Sequence, residues 1–310
     1  MIHQGALGDF ILTFSALGLL KQQIGPVDVL CRSGPGRVAC RLGLAERRYS
    51  IDAAAFVSLF TDAIDPPAER ILKNYDTILL ISFSEAVEQV LRRCLRGRVF
   101  RVSPRPPDHQ RVHVAEFIVE ALRAAGLVES PGAIVGPMGR SGSRNRHGVD
   151  PDRILLHPGA GSLRKRWPLR HFKTIFGRLQ RRGMAPEILI GPAELDVAPR
   201  IAAGWEKAQP LVISDPDRLM DNLETAGGLI GNDSGVSHLS AWMGVPTVAC
   251  FGPTDPACWR PVGPRVSVLR PSRGVPDHAL GSDMSRISPE RVLAAFMKLR
   301  GATFPSESGE

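Results

Sequence analysis

Apolar and polar positions divide this chain into short hydrophobic runs and longer amphipathic stretches. The runs are typical of buried strands and lie at 27–31, 77–82, 153–159, 187–192, 211–214, 227–233 and 246–252. The stretches have the spacing of helices and lie at 10–23, 85–95, 110–125, 169–182, 217–225, 235–243 and 288–300. Strands that alternate with helices pair in parallel through right-handed crossovers, so the pattern predicts an α/β fold with parallel sheets.

This alternation occurs on both sides of a segment that has no hydrophobic period. Residues 129–152 are rich in Gly, Ser, Pro and Arg, which is typical of a linker. We therefore predict two Rossmann-like domains whose parallel sheets face a central cleft, where open α/β sheets bind their ligands. The predicted boundaries are 1–130 for the first domain, 131–152 for the linker, 153–287 for the second domain, and 288–310 for a C-terminal helix and frayed tail.

Composition narrows the classes of partner and compartment. The chain has 310 residues and a formal net charge of +8, which favours acidic partners such as a nucleotide or a phosphorylated acceptor. Aromatic residues make up only 6% of the chain and form no RNA-binding motif, which argues against a nucleic acid partner. The five cysteines form no C-x-x-C pair, so we expect a reducing compartment and no zinc site. The sequence shows no secretory signal and no apolar run long enough to span a membrane.

A loop of small residues follows one of the predicted strands. In "HPGAGSLRKRWP", residues 157–168, Gly159 and its neighbours let backbone amides approach an anion closely. Lys165 and Arg166 then add mobile positive charge, as a diphosphate site without a Walker motif requires. A glycine-rich turn with solvated cations is the other interpretation of the same residues.

A second loop follows the strand at 227–233. "GNDSGVSHLS", residues 231–240, places Asp233 at a turn and His238 in the first turn of the next helix. Amides at a helix N-terminus favour phosphate groups or sugar hydroxyls. Taken by themselves, Asp233 is equally an N-cap and His238 a partly buried helix residue.

Three further features have competing interpretations. Asp9, in "GALGD" at the start of the chain, is either an N-cap or a carboxylate at the end of the first strand. The two "DPD" triplets, at 150–152 and 215–217, resemble metal-binding D-x-D motifs, but the second has the Asp-Pro signature of a helix start. The arginine-rich stretch 91–105 is either a solvated helix face and loop or a platform for acceptor phosphates or anionic lipid headgroups.

Four of these segments together resemble glycosyltransferase family nine, the ADP-heptose:lipopolysaccharide heptosyltransferases. They are "GALGD", "HPGAGSLRKRWP", "GPAE" (191–194) and "NDSGVSHLSAWMGVPTVACFGPTDP", and they occur in the family's order and separation. The resemblance runs from residue 1 to about residue 260. It implies a GT-B fold and an inverting, metal-independent transfer of a heptose from ADP-heptose to a lipopolysaccharide inner-core acceptor, with no cofactor.

The resemblance also implies roles for particular residues. Asp9 becomes the general base, and Lys165 supports the departing diphosphate. The residues expected to bind the donor are Gly159, Ser162, Lys165, Glu194, Asp233, Ser234, Gly235 and His238, with Glu194 at the ribose. The residues expected to meet an anionic, lipid-linked acceptor are His3, Arg92, Arg93 and Arg96. A lipid-linked acceptor implies a cytoplasmic protein, peripheral to the inner membrane.

Other functions stay open. A family member that uses another nucleotide sugar or glycan acceptor would share these motifs, and Glu194 and residues 215–223 would help to discriminate. An inactive sugar-nucleotide binder would keep the donor site without turnover. A nicotinamide dehydrogenase fits poorly, because "SGPGRVAC" (33–40) lacks the third glycine of the G-x-G-x-x-G motif.

Overall fold

The chain forms two compact units, Met1–Met138 and Gly139–Glu310. The computed structural model describes residues 1–61, 63–129, 148–191, 194–195, 198–199, 203, 205, 209–271 and 283–301. The predicted linker, 131–152, lies mostly outside these residues, and a strand already begins at its end, at Asp150. The tail predicted to fray from residue 302 lies outside them entirely.

The first unit has a five-stranded sheet in which all paired neighbours are parallel. Its strands are β1 (Ile2–His3), β2 (Val29–Cys31), β3 (Arg48–Ser50), β4 (Thr77–Ile81) and β5 (Arg98–Val102), in the order β3-β2-β1-β4-β5. Its helices are α1 (Leu7–Ile11), α2 (Phe14–Gln23), α3 (Ser33–Arg41), α4 (Ala54–Val57), α5 (Pro66–Leu72), α6 (Glu85–Cys94) and α7 (Val114–Ala124), with a 3₁₀ turn at Ser58–Phe60. The short first strand is central in this sheet, so the residues that follow it lie at the middle of the carboxyl edge.

The second unit has a six-stranded parallel sheet. Its strands are β6 (Asp150–His157), β7 (Ala185–Ile190), β8 (Leu211–Val212), β9 (Ala226–Asn232), β10 (Thr247–Cys250) and β11 (Val266–Leu269), in the order β11-β10-β9-β6-β7-β8. Its helices are α8 (Leu169–Gln180), α9 (Pro216–Thr225), α10 (Gly235–Trp242), α11 (Pro256–Trp259) and α12 (Pro289–Leu299), with 3₁₀ turns at Leu163–Lys165 and Met284–Arg286. The predicted α/β class with parallel sheets is therefore confirmed.

The C-terminal helix α12 is part of the second unit's core rather than an appendage. Val292, Leu293 and Phe296 are buried in the same cluster as the strand residues Ile154 and Ile230. Phe296 packs directly on the sheet because Gly228 has no side chain, and a Cβ there would lie 2.4 Å from the ring. The predicted start of this helix is confirmed, since the Ser288 side chain caps it.

Two predicted elements differ from the structure. The stretch 10–23, expected as one helix, is two helices, and the break follows Ile11. The Thr13 hydroxyl bonds to the carbonyl of Phe10 at 2.7 Å across this break, as threonine commonly does where a helix is interrupted. The structure extends the first helix back to Leu7, so Asp9 lies inside it and is not its N-cap.

The arginine-rich stretch 91–105 is a helix end followed by a strand, not a helix face and loop. β5 has the sequence "RVFRV" and occupies the edge of the sheet. Glu88 binds Arg92 at 2.9 Å and Arg101 at 2.6 Å, so these cations are held within the unit. Burial opposes ionisation of Glu88, but the two guanidinium groups outweigh it and lower its pKa.

Among the helices of the described residues, none combines the length and the hydrophobicity needed to cross a bilayer.

Candidate active site

Four neighbouring strands of the second unit bring the predicted donor residues to one edge of the sheet. β7, β6, β9 and β10 are adjacent and parallel, so their carboxyl ends lie side by side. His157 ends β6, Asn232 ends β9, and Glu194 follows β7 by a short turn. The strand order thus places together loops that are distant in the sequence.

The loop after β6 is the predicted anion-binding turn. Gly159 and Ala160 are buried, whereas Gly161, Ser162 and Arg164 are exposed. The loop continues into the 3₁₀ turn at Leu163–Lys165. The Lys165 side chain extends from this turn to the loop after β9. Ser162 forms no side-chain hydrogen bond as the N-cap of this turn, so its hydroxyl is free of that role.

Lys165 makes an ion pair with Asp233. Its Nζ lies 2.7 Å from Asp233 Oδ2. The carboxylate is buried and the lysine side chain is 31% exposed. The charge predicted to be mobile at Lys165 is therefore paired with Asp233.

Asp233 is ionised despite its burial. Burial opposes the charged form, but polar contacts from His238, Lys165 and Thr254 outweigh it and lower the pKa of Asp233 to about 2. His238 Nε2 lies 3.9 Å from Asp233 Oδ1. Thr254 lies in the loop after β10, within the motif segment that ends in Gly-Pro-Thr-Asp-Pro.

The cap of α10 is Ser234 rather than Asp233. The Ser234 hydroxyl accepts a hydrogen bond from the backbone N–H of Ser237, and the helix starts at Gly235. The N-cap interpretation of Asp233 is therefore wrong, and its carboxylate is left to meet Lys165. His238 is buried, at 3% exposure, rather than partly buried.

His157 lies between two predicted donor residues. Its Nδ1 is 3.3 Å from the Ser234 hydroxyl, and its Nε2 is 3.7 Å from Glu194 Oε2. The sequence pattern indicated only that a strand ends near His157. The signal that would have identified it is its position, because a polar residue that ends a central parallel strand lies in the ligand-binding edge.

The Glu194 side chain packs beneath the loop after β6 instead of extending into solvent. It is 5% exposed, and its Oε2 accepts a hydrogen bond of 3.0 Å from the Gly191 N–H. Gly159 permits this packing, since a Cβ at Gly159 would lie 2.2 Å from Glu194 Cδ. Burial opposes ionisation of Glu194, but His157 and the Gly191 amide outweigh it and lower the pKa of the carboxyl group.

In the first unit, Asp9 is exposed at the carboxyl edge of the sheet. It lies in the first turn of α1, just after the central strand β1. Its carboxylate makes no hydrogen bond or ion pair with any residue that the structure describes. Gly5 allows Asp9 to approach the strand end, since a Cβ on Gly5 would lie 2.9 Å from Asp9 Cβ. A carboxylate in this setting is available to accept a proton.

The predicted acceptor residues have different environments. His3 is buried, its Nδ1 accepts the Gly5 N–H at 3.1 Å, and its ring packs against Phe10. Burial lowers the pKa of His3 to about 4, so the ring is neutral. Arg92, Arg93 and Arg96 are all exposed, and Arg92 also binds Glu88. Contact of these four residues with an acceptor stays a prediction.

The edge of the second sheet thus combines two kinds of group. Lys165 and the first-turn amides of α10 suit phosphate oxygens. The carboxylates of Asp233 and Glu194 accept hydrogen bonds and therefore suit sugar hydroxyls. A molecule that has both a diphosphate and several hydroxyl groups, such as a nucleotide sugar, matches this set.

Comparisons with known proteins show which class of protein the second unit resembles. Residues 131–282 match the family model Glycosyltransferase family 9 (heptosyltransferase). The resemblance to glycosyltransferase family nine that the motifs predicted is therefore confirmed over these residues.

Particular relatives agree with this class. Lipopolysaccharide heptosyltransferase 1 of Pseudomonas aeruginosa is 34% identical over 104 residues, which are 33% of this chain and 29% of that protein. The aligned segment thus spans less than a third of that relative's length.

Solved structures match over nearly the whole chain. A glycosyl transferase family 9 protein from Veillonella parvula has a TM-score of 0.74 at 19% identity, covering 96% of each chain. The Escherichia coli heptosyltransferase WaaC with ADP has a TM-score of 0.72 at 18% identity, covering 96% of this chain and 98% of that one. The same enzyme with ADP-2-deoxy-2-fluoro heptose has a TM-score of 0.71 at 18% identity and the same coverage. This likeness confirms the GT-B fold.

Proposed function

We propose that this protein is an inverting glycosyltransferase that moves a heptose from ADP-heptose to a lipopolysaccharide inner-core acceptor. The observation that carries the proposal is the edge of the second sheet, where Lys165 and helix amides lie beside the carboxylates of Asp233 and Glu194. The family match over residues 131–282 supports the reaction class, and the WaaC complexes with ADP and an ADP-heptose analogue support the donor.

In the proposed reaction, an acceptor hydroxyl attacks the anomeric carbon of the heptose. Asp9 takes the proton of that hydroxyl as the new C–O bond forms. The bond from the anomeric carbon to the β-phosphate oxygen breaks on the opposite side, which inverts the anomeric centre. ADP leaves with its added negative charge.

Lys165 and the N-terminal amides of α10 would stabilise that charge without a metal ion. For this, Lys165 must exchange its bond with Asp233 for one with the diphosphate. Asp233 is then released to accept a hydroxyl of the sugar, with Ser234, Gly235 and His238 beside it. Glu194 would meet the ribose, for which its carboxylate must turn outward from beneath Gly159.

The acceptor side of the proposal rests on the first unit. A lipid-linked acceptor would bring the protein to the cytoplasmic face of the inner membrane, as a peripheral protein. Arg93 and Arg96 are exposed next to β5 and would offer positive charge to phosphate groups of the acceptor.

The test is a transfer assay with the full chain. The protein is incubated with ADP-heptose and a Kdo–lipid A acceptor, with and without EDTA, and released ADP and product mass are measured. We expect ADP release that depends on the acceptor and is insensitive to EDTA. Transfer from only a UDP- or GDP-sugar would assign a different donor, and ADP binding without transfer would indicate an inactive binder.

A further inference from the structure

Asn232 ties together both ends of the loop that carries Lys165. This residue ends β9 and is fully buried. Its Nδ2 donates hydrogen bonds to the carbonyls of Pro158 at 2.9 Å and Gly159 at 3.2 Å. Its Oδ1 accepts the backbone N–H of Trp167 at 3.0 Å. One side chain therefore fixes the entry and the exit of the segment 158–167.

The two bonds at the entry also set the direction of two peptide groups. In a trans peptide the C=O and N–H point in opposite directions. Because the carbonyls of Pro158 and Gly159 point at Asn232, the N–H groups of Gly159 and Ala160 point away from it. Neither N–H bonds to a residue that the structure describes. Consecutive N–H groups that point the same way form an anion-binding concavity.

The exit of the loop is anchored more firmly. The Trp167 side chain is 1% exposed, and its Nε1 donates to the carbonyl of Ile287 at 2.9 Å. Trp167 also packs edge-on against Phe172. Between these anchors the residues Gly161 to Arg164 are exposed, so the middle of the loop depends on its ends for its conformation.

We propose that Asn232 is a positioning residue for the donor loop, holding the Gly159 and Ala160 amides and Lys165 in register for a diphosphate. This proposal rests on the proposed function for the identity of the ligand, but not for the conformation of the loop. Asn232 is fully buried, and its side-chain amide faces the loop backbone. Its amide is suited to this role because it supplies both a donor for the two carbonyls and an acceptor for the N–H of Trp167.

The test compares Asn232→Asp with a matched variant at the other end of the sheet. Asn232→Asp keeps the oxygen that faces Trp167 and replaces the donor that faces Pro158 and Gly159. Thr247→Val removes a hydroxyl that is equally buried and bonds to Val245 and Ser240, at the amino end of β10. Both changes delete two buried hydrogen bonds in the same unit at nearly constant volume, and Asn232→Asp in addition places a carboxyl oxygen against the two carbonyls.

Two readouts separate positioning from general stability. The first is the rate of tryptic cleavage after Arg164, Lys165 and Arg166, measured by mass spectrometry relative to cleavage elsewhere in the chain. The second is the dissociation constant for ADP. We expect Asn232→Asp to raise the relative cleavage rate and weaken ADP binding, each by about tenfold or more, and Thr247→Val to change neither by more than about twofold.

Relative cleavage in Asn232→Asp within twofold of the unmutated chain would overturn the proposal. An equal rise in Thr247→Val would overturn it too, because the effect would then be general destabilisation. If Asn232→Asp does not fold, Asn232→Ser takes its place, since a serine hydroxyl cannot reach both ends of the loop. Absence of ADP binding by the unmutated chain would count against the proposed donor, while the cleavage ratio would still decide the role of Asn232.

Discussion

Lys165 Nζ lies 2.7 Å from Asp233 Oδ2, so the main cation of the candidate donor site is neutralised by its main acid. The pair keeps two opposite charges close together at the sheet edge. In the proposed function, a diphosphate would compete with the carboxylate for the ammonium group, and sugar hydroxyls would bind the carboxylate once it is released. The pair therefore suits a ligand that has both a diphosphate and hydroxyl groups.

Lys165→Gln should weaken ADP binding. The substitution removes a charged hydrogen bond to phosphate, which is worth about 1.5–3 kcal/mol or roughly 10- to 150-fold in affinity. Isothermal titration calorimetry with ADP measures the effect. Arg164→Gln is the control, because it removes the same charge from an exposed neighbour in the same loop. Equal affinity in the two variants would contradict the assigned role of Lys165.

Asp233→Asn should reduce the loss of unfolding free energy that the protein shows at low pH. The pKa of Asp233 falls from 3.8 to about 2 on folding, so its contribution is present above about pH 4 and is lost as the pH falls towards 2. The shift corresponds to about 2 kcal/mol for this buried group. Urea unfolding at several pH values between 2 and 5 measures the difference between variant and unmutated chain. If the unfolding free energies of the variant and the unmutated chain changed equally with pH, Asp233 would not be stabilised in its charged form.

His3→Asn should protect the first unit against mild acid. The pKa of His3 falls from 6.5 to about 4, because burial disfavours the charged ring. The unfolded chain therefore binds a proton that the folded chain does not, and stability is lost as the pH drops from about 6.5 to 4. The loss is about 3 kcal/mol.

Asn at this position keeps an acceptor for the Gly5 N–H but does not titrate. Unfolding between pH 4 and pH 7, followed by circular dichroism, should show a smaller loss in the variant. An unchanged pH dependence would mean that the ring is not buried as a neutral group.

Gly159→Ala and Gly161→Ala should differ sharply, although they lie in one loop. A Cβ at Gly159 would overlap Glu194, whose carboxylate must leave its buried contact with the Gly191 N–H. A Cβ at Gly161 would meet nothing within 4 Å. We expect Gly159→Ala to lose about 1–3 kcal/mol of unfolding free energy and Gly161→Ala to stay within about 0.5 kcal/mol. Thermal unfolding of both variants measures these losses. Equal stability of the two variants would contradict the prediction.

Asp9→Asn should abolish turnover and spare the donor site. Loss of a general base lowers kcat by about 10²- to 10⁴-fold. ADP affinity should stay within twofold, because the donor residues lie in the second unit. Asp52→Asn, an exposed acid in the same unit, is the control. Full activity in Asp9→Asn would remove this residue from the mechanism.

Much of the site was predictable because each of its loops follows a strand that contains a buried apolar run. The buried runs at 153–159, 187–192, 227–233 and 246–252 correspond to β6, β7, β9 and β10 within a few residues. The small residues after β6 and the Asp-Ser-Gly turn after β9 indicated a site for an anion. The edge strand β5 was missed, because its arginines interrupt the apolar pattern and its burial depends on α6 and β4 beside it.

The sequence by itself determined the alternation of strands and helices, the two parallel sheets, and which loops carry small or charged residues. These are consequences of local hydrophobic period and turn chemistry. The tertiary structure decided which loops meet, because the strand order β7-β6-β9-β10 is set by packing of the whole second unit. The contacts of Lys165 with Asp233, of His157 with Glu194, and of Asn232 with both ends of the donor loop arise from that order, and no local pattern encodes them.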